Sequence, residues 1–139
     1  MHTIRRATQA KHASDTFSQK NTNCSIDESL ERFAPVLEAA KAAGLPVRGY
    51  VSCVVECPFD GPTQPDDVAT ATAAMLEMGC YEISLGDTIG AAVPDTVRPM
   101  LSAVLNEMPA AKLAGHFHDT NGRAVENIEA SLDAGLRVF

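Results

Sequence analysis

Two histidines lie two residues apart in the stretch Gly115-His116-Phe117-His118-Asp119-Thr120-Asn121-Gly122. An apolar run precedes them and turn-forming residues follow. Side chains alternate faces along a strand, so His116 and His118 project together and Phe117 opposite. Two imidazoles on one face are a partial site for a divalent cation, since Mg²⁺, Mn²⁺ or Zn²⁺ needs further ligands. The same pair can equally end a strand with ordinary hydrogen bonds. Asp119 follows directly, and Asp87 closes another apolar stretch in Gly86-Asp87-Thr88. Carboxylates at the same edge favour chemistry, although an aspartate there can also cap a turn.

The elements that would position these groups follow from periodicity. Ser25 can cap a helix that carries Leu30, Phe33, Val36, Leu37 and Ala40 at helical spacing, with Gly44 and Pro46 ending it. Residues 47–53 are short and β-prone. A Pro- and Gly-rich loop over 58–65 follows. A second helix is expected from about Pro65 to Met78, a strand over 81–85, and a loop over 86–90. A third helix is expected from about Val97 to Glu107, a strand over 112–118, and a fourth helix over about 122–134. Leu136 to Phe139 reads as a strand cut short. The strand ends fall at Ser52, Gly86 and His118, roughly thirty residues apart, the size of a βα unit. Such alternation implies parallel strands covered by helices. An open doubly wound sheet and a (β/α)8 barrel both fit, and both bind ligands at the carboxyl ends of strands. No Gly-x-Gly-x-x-Gly fingerprint supports the nucleotide-binding version.

The 139 residues suffice for one ordinary domain, and no apolar run approaches a membrane helix. A net charge of -7 argues against nucleic acid as a partner. Residues 1–12 hold Arg5, Arg6 and Lys11 and no acidic residue. They are read as a basic segment without an assigned strand, too short and without the apolar face of a presequence. The spacing of Cys24, Cys53, Cys57 and Cys80 suits neither a disulfide framework nor a zinc site, so free thiols are expected.

Lys20-Asn21-Thr22-Asn23-Cys24-Ser25, residues 49–53 (GYVSC), 80–90 (CYEISLGDTIG) and 116–122 (HFHDTNG) together resemble the 3-hydroxy-3-methylglutaryl-CoA lyases. These belong to a wider group of metal-dependent lyases and Claisen-type synthases. The resemblance runs from about Ala13 to the end of the chain. It implies a partial (β/α)8 TIM barrel of about three βα units plus the start of a final strand. It also implies cleavage of 3-hydroxy-3-methylglutaryl-CoA to acetoacetate and acetyl-CoA, with a Mg²⁺ or Mn²⁺ cofactor. His116 and His118 match metal ligands, and His116 and Asp87 match catalytic residues. Tyr50 and Ser84 match residues facing the substrate, and Lys20, Asn21 and Ser25 lie in the segment resembling the rim that binds the acyl-CoA. Read as residues alone, Tyr50 and Ser84 could be packing groups, Lys20 a solvated lysine, and Asn21 and Ser25 a turn and a helix cap.

The resemblance also implies pieces that this sequence does not match. These are an Arg-Asp pair on a first strand, a Gly-Gly-Cys-Pro loop with a catalytic cysteine, and an asparagine ligand. The expectation is therefore that the 139 residues by themselves have little or no lyase activity. A non-catalytic barrel remnant and a related aldolase or Claisen-type synthase stay open as alternatives. A cytoplasmic location is expected, or the mitochondrial matrix in a eukaryote, with the parent enzyme a candidate homodimer.

Overall fold

A computed structural model describes the backbone of residues 7–139 and the side chains from Ala13 onward. Four strands form one parallel sheet: β1 (Ala7–His12), β2 (Val47–Ser52), β5 (Glu82–Asp87) and β6 (Leu113–Phe117), in the order β1-β2-β5-β6. Spatial order follows chain order with no reversal. A doubly wound sheet would reverse at a switch point, so the arrangement is that of consecutive units of a (β/α)8 barrel.

The crossovers are helical. Helices α1 (Asp15–Thr22) and α2 (Ile26–Ala42) lead from β1 to β2. Helix α3 (Pro65–Glu77) leads to β5, and α4 (Pro94–Glu107) leads to β6. Helix α5 (Ala124–Asp133) follows β6. Helix α2 begins with a capping box: the Ser25 hydroxyl accepts from Glu28 N at 3.1 Å, and Ser25 N donates to the Glu28 carboxylate at 2.7 Å. Helices α3 and α4 each start with a proline in the first turn, where a missing N–H costs nothing.

Alternation sets the two sheet faces. Val47 and Val51 of β2, Ile83 and Leu85 of β5, and Leu113 of β6 are buried against the helices. There they meet Val68 and Met75 of α3 and Val97, Leu101 and Val104 of α4. The other face carries Arg48, Tyr50 and Ser52, then Glu82, Ser84 and Gly86, then Ala114 and His116. Register places Tyr50 beside Ser84 and Gly86 beside His116.

Several elements differ from the sequence expectations. Residues 7–12 form a strand, so the partial barrel has one strand more at its start than expected. The sequence Ala-Thr-Gln-Ala-Lys-His has low β propensity, and pairing along β2 overrides it. Helix α1 was not expected; Ser14 caps it by accepting from Phe17 N at 3.1 Å. The loop after β2 contains a small antiparallel hairpin, β3 (Glu56–Cys57) with β4 (Gly61–Pro62). Helix α4 starts at Pro94 rather than Val97, because a proline in the first turn opens a helix instead of barring it. Residues 136–139 form no assigned strand; Gly115 N donates to Val138 O at 2.9 Å.

Candidate active site

The carboxyl ends of β2, β5 and β6 meet around the two histidines. His116 is the fourth residue of β6, and His118 lies just past its end. Their Nε2 atoms are 3.0 Å apart, and the rings stand edge to face at 70°. Two ligands at right angles around one cation, each at a bond length of about 2.1 Å, would sit about 3.0 Å apart. The donor atoms thus already have the separation a shared divalent ion requires. Among the described residues no group of three or more His, Cys, Asp or Glu side chains gathers as a metal site. Two imidazoles alone fall short of the ligands a divalent cation needs.

Both rings are open to solvent on one side. Partial burial is the main cause that lowers the His116 pKa below its ordinary 6.5. His118 and the Arg48 guanidinium act in the same direction, and the Asp87 charge opposes them. That direction favours the neutral ring, the form a metal ligand takes.

The loop after β5 sets His118. Nδ1 lies 2.7 Å from the backbone carbonyl of Thr88. Asn121, three residues beyond His118, donates to Gly90 O of the same loop at 2.8 Å. Asp119 caps α5 by accepting from Ala124 N at 3.0 Å, so it serves the backbone rather than the histidines.

Asp87, matched as a catalytic residue whose role is to position groups around the site, lies off the histidine face. Register pairs it with Phe117, on the face opposite His116. It has no exposed surface, and its two carboxylate oxygens accept from Ala91 N at 3.0 Å and Ala92 N at 3.1 Å. It organises the loop that carries Thr88 and reaches His116 as a charge.

Tyr50 and Ser84 stand on the histidine face of the sheet. Tyr50 OH accepts from Arg48 Nη1 at 3.2 Å, and Arg48 Nε lies 2.7 Å from Glu82 Oε1 in an ion pair without a well-aimed N–H. Lys20 and Asn21 lie on α1, after β1, at the sheet edge away from β6. Lys20 Nζ sits 4.1 Å over the ring of Phe59, which is half exposed and 5.9 Å from Phe17. The Ser25 hydroxyl is engaged in its helix cap. A cavity of about 610 Å³ opens at the amino ends of β2 and β5, lined by Leu37, Lys41, Leu45, Glu77 and Met78, away from the histidines.

The sequence places Cys53 and Thr88 at strand ends but assigns no role to them or to Thr63. Cys53 N donates to Thr88 Oγ1 at 2.8 Å, and Thr63 Oγ1 donates to Cys53 O at 2.7 Å. Cys53 lies in the GYVSC stretch, but nothing local foretells its φ of 61°, rare for a non-glycine residue.

The HMGL-like family model matches residues 3–139, nearly the whole chain. The chain belongs to the HMGL-like family. That span begins before Ala13 and includes strand β1. Over 127 residues this HMGL-like chain is 55% identical to the hydroxymethylglutaryl-CoA lyase of Pseudomonas mevalonii, covering 91% of the chain and 42% of that protein. It superposes on an HMG-CoA lyase from Brucella melitensis with a TM-score of 0.95 and 57% identity, covering 96% of the chain and 47% of the other. A lyase from Acinetobacter baumannii, solved in complex with coenzyme A and 3-methylmalate, gives a TM-score of 0.87 at 29% identity, covering 95% and 43%. The chain therefore spans less than half the length of these relatives.

Proposed function

We propose that this chain forms part of the active site of a lyase that cleaves 3-hydroxy-3-methylglutaryl-CoA to acetoacetate and acetyl-CoA. One observation carries the reading: in a chain of this family, two imidazoles converge at metal-bridging distance on the carboxyl ends of barrel strands. His116 and His118 would hold a divalent cation, Mg²⁺ or Mn²⁺, with ligands from elsewhere completing the set. Such a cation, when bound, acidifies a coordinated hydroxyl and stabilises developing negative charge.

The chain's own residues have distinct parts in this reading. In this reading His116 exchanges a proton with the substrate's tertiary hydroxyl. Tyr50 and Ser84, side by side on the same face, orient substrate oxygens. Asp87 keeps the loop behind His118 in place and touches no substrate. Lys20, with Asn21 and Ser25 near it in sequence, forms a rim suited to the phosphates and adenine of an acyl-CoA; the cation beside exposed Phe59 supports this part. The coenzyme A found with the Acinetobacter baumannii protein supports the same substrate class.

A chimera tests the proposal. Residues 13–139 replace their counterpart in the Pseudomonas mevalonii lyase, and acetoacetate release from 3-hydroxy-3-methylglutaryl-CoA is followed with Mn²⁺. The folded chimera should retain activity, and His118→Ala should lower it by roughly a hundredfold or more. A folded chimera that releases no acetoacetate, beside an active parent, sinks the reading.

A further inference from the structure

His118 rests on a carbonyl that is itself braced. A carbonyl oxygen only accepts, so the 2.7 Å contact between His118 Nδ1 and Thr88 O requires the ring proton on Nδ1. That leaves Nε2 bare and directed at His116, the tautomer a ligand through Nε2 needs. Without a metal, the 3.0 Å contact between the two Nε2 atoms then takes its proton from His116, and ligation through His116 Nε2 would require that proton to move to Nδ1.

The Thr88 carbonyl is fixed through the same residue's side chain. Thr88 Oγ1 accepts from Cys53 N at 2.8 Å. Cys53 closes β2 in the left-handed region, which L side chains rarely adopt. Two further bonds hold this bend. Thr63 Oγ1, beyond the β3–β4 hairpin, donates to Cys53 O at 2.7 Å, and Val54 N donates to Gly86 O at 3.2 Å. The end of β2 is thereby tied to the loop after β5, and that loop to the histidine after β6.

We propose that Thr88 is a positioning residue for His118: its hydroxyl, engaged by the Cys53 amide, anchors the carbonyl that keeps the imidazole in the Nδ1–H tautomer with Nε2 beside His116. The inference rests on the metal reading above in one respect, that the directed Nε2 serves a cation.

The test separates the two claims. The ¹⁵N-labelled 139-residue chain is studied by imidazole ¹H–¹⁵N correlation without metal, at a pH where both rings are neutral, and Mn²⁺ affinity is measured by calorimetry. In the unmodified chain His118 should be the Nδ1–H tautomer. Thr88→Val should mix in the Nε2–H form and weaken Mn²⁺ binding about tenfold, the usual effect of removing a support behind a metal-bound histidine. Thr88→Ser keeps the hydroxyl and should retain the unmodified tautomer, with affinity within about threefold. A general loss of packing would not spare the serine variant or move one ring's tautomer. An Nε2–H His118 in the unmodified chain overturns the proposal. So does a folded Thr88→Val chain with unaltered tautomer and Mn²⁺ affinity. If Thr88→Val does not fold, Thr88→Ala is read in the same way. If the unmodified chain, lacking the completing ligands, binds no Mn²⁺, affinity is read in the chimera described above, where absence of Mn²⁺ binding sinks the metal reading, and the tautomer comparison decides the role of Thr88.

Discussion

Asp87 faces away from the histidines and holds the loop that carries Thr88. Its two carboxylate oxygens satisfy two consecutive amides, the half-buried Ala91 N and the buried Ala92 N, with the aspartate itself fully buried. Charge-assisted bonds of this kind are stronger than neutral ones, and a buried amide left without an acceptor is costly. Asp87→Asn replaces one oxygen with an NH₂ that must face an amide N–H. The expected loss is about 1–3 kcal/mol of stability, read by urea unfolding. Mn²⁺ affinity should fall with it, because the loop carries Thr88. Lost affinity at unchanged stability would show instead that Asp87 acts on the metal directly.

At the scale of elements, the loop over residues 88–93 connects the strand ends. It receives Cys53 N from β2's end on Thr88, His118 Nδ1 and Asn121 Nδ2 from beyond β6, and Asn127 Nδ2 of α5 on Ala92 O at 2.8 Å. Gly90 lets the two loops come together. Its φ is +71°, and an added Cβ would lie 2.8 Å from Thr120 Cβ and 3.2 Å from His118 O. Gly90→Ala is therefore strained by both backbone and contact, with an expected cost of about 1–3 kcal/mol. Faster amide hydrogen exchange should appear over 88–92 and 118–122 while the core strands stay protected; exchange unchanged in both loops would refute the account. The sequence showed helices α2, α3 and α5 and strands β2, β5 and β6, because each combines periodicity with a cap or a Gly or Pro stop. It hid β1, whose polar residues gain order only by pairing along β2, and α1, whose eight residues carry one fully buried side chain, Ser18.

At the scale of the whole molecule, strands and helices share one apolar layer, and the thiols lie within the fold. All four cysteines are buried and free. Burial is the main cause that raises the Cys53 pKa from its ordinary 9.0 to about 11. The folded state thus holds this proton more tightly than the unfolded chain. Its contribution to stability is complete below pH 9.0 and is lost as pH rises toward about 11. Denaturation midpoints should decline across that window, and Cys53→Ser should make the decline shallower; an equal decline in both chains would discount Cys53 as its source. What the sequence by itself determined was the βα alternation, the family resemblance and the common face of His116 and His118, because periods of two and 3.6 residues and short motifs are local properties of the chain. The tertiary structure alone decided that strand order follows chain order, that Asp87 turns from the site to a loop, and that Thr88 and Cys53 stand behind His118. Those outcomes depend on pairing and on hydrogen bonds between residues 30 to 35 positions apart, which no local pattern encodes.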